Sequence, residues 1–274
     1  MADEATPAST GPARLRRVLR VARVLARGFA LHMKMMTRSS FDGLLGVLWP
    51  LFFSTVAFLM FRAGAGGESL VFASFGAAVM GIWSSTSTSA GSAMQRERWH
   101  GTLELLVCAP VHFATVLLPV TIAMAAIGLY SMTATLLLSR FVFGVDLPFE
   151  QPLAFGIALF ATVVSIGALG FLLAVSFVRY RTAWALGNLL EYPVWLIAGF
   201  LVPLTLLPAW VRPLSWVLAP TWGVEAIRDA ALGAPPWTGI ALALALGAVY
   251  LAIGIAVLES VLSSARRAGS LALA

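Results

Sequence analysis

Long apolar runs decide what this chain can become. Residues 44–61, 70–93, 111–138, 152–178, 183–204 and 237–262 each approach or exceed the roughly 20 apolar residues that cross a bilayer as a helix. A soluble fold could not cover them, because 60% of the residues are hydrophobic and only 11% are charged. Inside hydrocarbon, every backbone N–H and C=O must bond within its own segment, so runs of this length read as helices. The expected fold class is an all-α membrane protein with six transmembrane helices. A net charge of +6 would suggest nucleic acid only if the position of the basic residues were ignored.

Those positions give an orientation. With the N-terminus in the cytoplasm, the inner segments collect Arg14, Arg16, Arg17, Arg20, Arg23, Arg27, Lys34, Arg38, Arg96, Arg98, Arg179, Arg181, Arg266 and Arg267. Only Arg62, Arg140, Arg212 and Arg228 fall outside. Basic residues accumulate on the cytoplasmic side of membrane proteins, so both termini are expected inside and no nucleic-acid partner is implied.

Residues 1–12 are small and polar and read as a disordered tail. No apolar core with a cleavage site follows directly, so they do not read as a signal peptide. Residues 13–40 alternate differently. Leu15, Val18, Leu19, Ala22, Leu25, Ala26 and Phe29 recur at three and four, with Arg16, Arg20, Arg23 and Arg27 on the opposite side. That is a basic amphipathic helix for a membrane interface with anionic lipid, or a charge cluster that only sets topology.

The charged segment between the second and third runs is QRERWHGTLELLVCAP. At helical spacing Glu97, Gly101 and Glu104 share one face, and Leu103, Leu106 and Val107 another. An amphipathic surface helix over residues 95–107 fits this pattern, as does a solvated loop. Gly101 in its middle suggests a close backbone approach.

The residues ERWHGTLELLVCAP resemble the E-R-x-x-G-T-L-E-x-L-x-x-x-P segment of ABC-2 type permeases, the membrane subunits of bacterial ABC exporters. The resemblance implies that Glu97, Arg98, Gly101, Thr102 and Glu104 belong to a cytoplasmic coupling helix that docks on a separate ATPase subunit. It also implies two such ATPase subunits, which bind the ATP and Mg, and a second permease copy or a sister permease. Residues 220–228, P-T-W-x-x-E-A-x-R, are similar to the family's outer gate region. Trp216, Trp222, Glu225 and Arg228 are assigned there on that basis. The surrounding stretch 207–236 is broken by prolines and rich in tryptophan. It reads as short re-entrant or surface helices before the last span, with Thr221 capping a helix over 225–230. The family likeness makes residues 41–274 one six-span transmembrane domain in the inner membrane.

Two polar features lie within the apolar runs. The second run contains WSSTSTSAGS. Its Ser84, Ser85 and Thr88 suit either close helix packing or the lining of a path. Glu191, with Asn188 one turn earlier and Pro193 after it, is an ionisable group at membrane depth. Such a group is costly and faces protein or water. It could line a path, meet a second subunit, or be held by a structural hydrogen bond.

Other chemistry is missing from the sequence. There is no G-x-x-x-x-G-K-[ST], and the single lysine, Lys34, is not in a glycine loop. The three histidines make no haem-binding pair, and the lone Cys108 makes neither a disulfide nor a metal cluster. The expectation is a transporter subunit without a cofactor of its own, not an enzyme. A hydrophobic drug-like, antibiotic-like or lipid substrate is expected, with a lipid-linked polysaccharide as the alternative. From another class, Glu191 leaves an ion-coupled secondary carrier open.

Overall fold

In the computed structural model, the structure describes residues 10–38, 67–99, 112–177 and 183–268, with scattered positions of the first apolar run (48, 51, 52, 54–56, 58 and 59). Among the described residues there are helices and turns and no strand. Helix α1 spans Thr10–Arg38, α2 Gly67–Trp99, α3 Ala114–Phe141, α4 Pro152–Phe177 and α5 Ala183–Ile197. A short 3-10 turn at Leu204–Leu206 is followed by α6 (Arg212–Trp216), α7 (Ala219–Ala231) and α8 (Trp237–Ala268).

Among the described residues, four helices are long and apolar enough to cross a membrane: Leu70–Thr88 within α2, Ala114–Phe141, Pro152–Ser176, and Trp237–Ser260 within α8. More than half of the first expected span lies outside the described residues. Four boundaries differ from the sequence expectation. Helix α1 begins at Thr10, inside the expected tail. Helix α2 continues through Gln95–Trp99, so the charged segment begins as an extension of the second helix. Nothing between Ser84 and Trp99 breaks it except Gly91, which a helix tolerates at a cost of about 1 kcal/mol.

The third difference is the fifth run, expected over 183–204. Helix α5 has 15 residues, about 22 Å of rise, against roughly 30 Å of hydrocarbon. It ends in a Schellman motif. Gly199 takes φ +74°, its N–H reaches the Leu196 carbonyl at 3.2 Å, and the Phe200 N–H reaches Trp195 at 3.3 Å.

The fourth concerns the cap at Thr221. Helix α7 starts at Ala219, two residues before Thr221 and six before the expected helix, with Pro220 in its first turn. Thr221 lies inside the helix, buried, and its hydroxyl has no hydrogen-bond partner. The first donor, which has no partner within the helix, is instead satisfied from another helix. The Ala219 N–H donates to the Tyr250 hydroxyl at 3.0 Å, and that hydroxyl donates to the Val217 carbonyl.

Helix α2 stands at the centre, packed on α3, α4 and α5, while α8 packs on α4 and α7. The packing depends on small residues, as expected where lipid removes any hydrophobic drive between helices. A Cβ on Gly128 of α3 would lie 2.7 Å from the Ser85 Oγ of α2. One on Gly187 of α5 would lie 2.5 Å from the Ser87 carbonyl. Around these contacts Phe75, Met80, Ile82 and Trp83 of α2 join Ile166 of α4 and Phe200 in the main core. Helix α1 lies against α3, where a Cβ at Gly28 would come within 3.2 Å of the Pro119 ring.

Candidate functional site

Three places on this frame hold the polar residues singled out above. The first is where α5 meets α2. Glu191 is only 4% exposed, and its Oε1 has no hydrogen-bond partner. Ser84 approaches it from α2 without meeting hydrogen-bond geometry, and the Ser84 hydroxyl is likewise unpartnered. A buried carboxyl without full satisfaction is expensive, so this junction is the least settled polar point among the described residues of the core. Asn188 is half-buried one turn away.

The other path candidates divide. Thr88 donates back to the Ser84 carbonyl at 2.7 Å, which keeps it within its own helix. Ser85 donates to Met124 of α3 at 3.0 Å and so faces away from Glu191, into the α2–α3 contact. The structure thus brings Ser84, Asn188 and Glu191 to one junction and leaves Ser85 in another.

The second place is the cap made by α6, α7 and the loop 142–151 at one end of the bundle. Here Arg228 makes more bonds than its motif position suggested. Its Nη1 donates to the Gly199 carbonyl at 3.0 Å, and its Nη2 donates to Phe200 at 2.8 Å and Phe72 at 3.1 Å. The guanidinium carbon sits 3.4 Å from the centre of the Phe72 ring, a cation–π contact. One side chain therefore joins α7 to the end of α5 and the start of α2. Gly76 makes room for it, since a Cβ there would press on the Phe200 carbonyl and the Arg228 Nη2. Burial pushes the Arg228 pKa down to about 9, opposed by Glu225 and Asp229, so it stays charged at neutral pH.

Glu225 is exposed, yet its carboxyl titrates above the ordinary range, first through partial burial and then through Asp229 one turn on. Trp222 donates its indole N–H to the Trp216 carbonyl at 2.9 Å, which pins α7 to α6, and the Trp216 ring remains exposed. The loop before α4 fastens to the far end of α7. Glu150 and Gln151 donate backbone N–H groups to Ala231 and Ala230 at 3.1 and 3.2 Å, and the Gln151 amide donates to Gly233 at 2.7 Å.

The third place is the opposite end of the bundle. His112, just before α3, meets Glu259 of α8 at 3.4 Å, with both side chains largely exposed. Glu97 and Arg98 lie in the last turn of α2. Gly101, Thr102 and Glu104 lie outside the described residues. No group of three metal-ligating side chains occurs among the described residues.

Sequence reasoning missed the part played by Gly199, Gly76 and Tyr250. Gly199 carried a signal, an isolated glycine followed by Pro203 at the end of an apolar run. Gly76 and Tyr250 carried none, because their partners are far away in the chain.

No curated protein matches this sequence. The profile of the ABC-2 type transporter family does, over residues 28–232. The match runs from the middle of α1, through the charged segment, to the residue after α7, and includes both the Glu191 junction and the cap. The chain is therefore a member of the ABC-2 type transporter family, a multi-pass membrane protein and a permease subunit of an ABC transporter.

Proposed function

We propose that this chain is the transmembrane half of an ATP-driven exporter of the bacterial inner membrane, with both termini in the cytoplasm. Two permeases, identical or sister chains, form the path, and two separate ATPase subunits bind ATP and Mg beneath them. Residues 95–107 are the coupling helix. Glu97, Arg98, Gly101, Thr102 and Glu104 meet the ATPase, and its closure moves α2 and α3. Ser84, Asn188 and Glu191 lie at the path or at the subunit interface. The cap that contains Trp216, Trp222, Glu225 and Arg228 is the outer gate. The substrate is a hydrophobic drug-like, antibiotic-like or lipid molecule.

The observation that carries this reading is the family match across residues 28–232, which includes the charged segment. An interfacial charge pair loses about 2–5 kcal/mol when one partner is truncated, so Glu97→Arg with Glu104→Arg should release the ATPase or uncouple hydrolysis from export. Gly101→Trp should do the same by holding the two surfaces apart. Co-purification of the ATPase and transport-stimulated hydrolysis are the measurements. Wild-type values of both in all variants would remove the coupling role.

Two specific observations favour other readings. Exposed Trp210, Trp216 and Trp237 suit stacking against sugar, and so a lipid-linked polysaccharide. The unpartnered carboxyl oxygen of Glu191 suits an ion-coupled carrier, which would transport with no ATPase present.

A further inference from the structure

Glu191 is an acid for which the spans hold no base. None of the six apolar runs contains lysine or arginine, and their single histidine, His112, meets Glu259. The helices packed on α5 are α2, α4 and α6. Helix α4 has no basic residue, and α2 has none before Arg96, well beyond Ser84. Arg212 of α6 is exposed and donates to the Thr205 carbonyl. Arg228 is committed to Gly199, Phe200 and Phe72.

A second copy of the chain would not supply the charge either. At 100° per residue, Gly187, Glu191 and Trp195 share one buried face of α5. That face is turned to α2, because a Cβ on Gly187 would press on the Ser87 carbonyl. Leu189, Tyr192 and Leu196 are exposed around the rest of the helix. The carboxyl therefore lies inside the protomer, away from any surface that another subunit could meet.

The seam holds two oxygens with nothing to engage. Glu191 is 4% and Ser84 7% exposed, and Glu191 Oε1 and Ser84 Oγ both lack a hydrogen-bond partner. A buried carboxylate is stable only when its charge is compensated. A hard metal ion takes about six oxygens, and no group of three metal-ligating side chains occurs among the described residues. An organic cation needs only one carboxylate and apolar walls, which Met80, Ile82 and Val194 supply nearby in the core. Aromatic rings add to the fit. The Trp195 ring, one turn beyond Glu191, lies 4.9 Å from that of Tyr192. Trp195 is buried and Tyr192 exposed, so the pair leads from the surface of α5 to the seam, and such rings attract cations.

We propose that Glu191 and Ser84 bind the positive charge of an amphipathic organic cation, and that such cations are what the transporter moves. This rests on the exporter reading above and narrows its substrate class. Helix α2 runs without interruption from Ser84 to Trp99, inside the coupling segment. A displacement of α2 by the ATPase therefore reaches the seam through one continuous helix and opens it at Ser84.

The test uses the full chain in complex with its ATPase. Radiolabelled tetraphenylphosphonium and tetraphenylborate match in size and differ in the sign of their charge, and their binding is followed by scintillation proximity. The phosphonium should bind saturably. Glu191→Gln should weaken it at least roughly tenfold and leave tetraphenylborate no weaker. Glu191→Asp should keep most of the affinity, and Ser84→Ala should lose a smaller factor. Co-purification of the ATPase checks that each variant is assembled. The proposal is overturned if the unaltered complex shows no saturable phosphonium binding, or if an assembled Glu191→Gln binds it at full strength. An equal loss of both probes in an assembled Glu191→Gln overturns it too. If instead the unaltered chain fails to retain any ATPase, the exporter reading falls, and the phosphonium titration of the chain alone still decides the site.

Discussion

Replacing Arg228 by alanine should loosen the cap from the bundle, and the size of the effect can be worked from its contacts. Three hydrogen bonds from a charged donor are lost, to Gly199, Phe200 and Phe72. Each such bond contributes about 1.5–3 kcal/mol, but the three share one guanidinium and do not add in full. The carbonyls left behind also keep part of their bonding, because Phe200 and Gly199 belong to a turn. The expected cost is about 3–5 kcal/mol, which for a chain of this size lowers the melting midpoint by roughly 10 °C. The assay is the loss of the monodisperse peak on heating in detergent, followed by tryptophan fluorescence. Arg228→Lys should recover only a fraction, since a point charge cannot bridge three carbonyls. Gly76→Ala should mimic Arg228→Ala, because its Cβ would occupy the space of the same guanidinium and the Phe200 carbonyl. In the double variant the second change should add little. A shift for Arg228→Ala within about 2 °C, or fully additive losses in the double variant, would refute the idea that one side chain holds the three segments together.

Other outcomes follow from the same contacts. Glu191→Gln keeps the shape of the junction and removes its charge, so transport should change while the complex still assembles; wild-type transport would leave Glu191 a passive packing group. The folded-state pKa of Glu225 is raised, so its favourable contribution is complete below the unfolded carboxylate value and is lost as pH rises through the folded value. Glu225→Gln should therefore raise the melting midpoint at neutral pH and flatten its dependence across the acidic range, and an unchanged profile would count against the Glu225–Asp229 repulsion. Asp146 lies in the loop after α3 with its side chain 91% exposed. Asp146→Cys should react with an impermeant thiol reagent from outside intact cells, and Cys108 should not; the opposite pattern would invert the orientation.

What the sequence disclosed and what it hid follow from the range of the forces involved. The long helices α3, α4 and α8 were legible because a run of apolar residues has to close its own backbone bonds in lipid, a local requirement. The start of α4 at Pro152 could be read to the residue for the same reason, since proline suits a first helical turn. The end of α5 was misjudged because apolarity continues to Leu204 while the backbone turns at Gly199, and composition outweighed a conformational signal. The staple at Arg228 could not be read locally, since Phe72 is 156 positions away. The motif resemblance assigned Arg228 to a gate region but did not give its partners. Ser85 shows the same limit, because a serine stripe reads identically whether its hydroxyl faces a path or a neighbouring carbonyl.

The loop 142–151 is fastened to α7 mainly through main-chain donors at positions 150 and 151. Main-chain donors do not depend on the residue that carries them. Almost any side chain could stand at 150 without loosening the attachment; only proline, which lacks the donor, would break it. At 151 the loss would be confined to the amide bond to Gly233, about 1 kcal/mol. The loop at these positions is thus free to drift in charge, size and chemistry while the frame of the cap stays in place. A transporter built this way can change what this face meets without changing how the face is held.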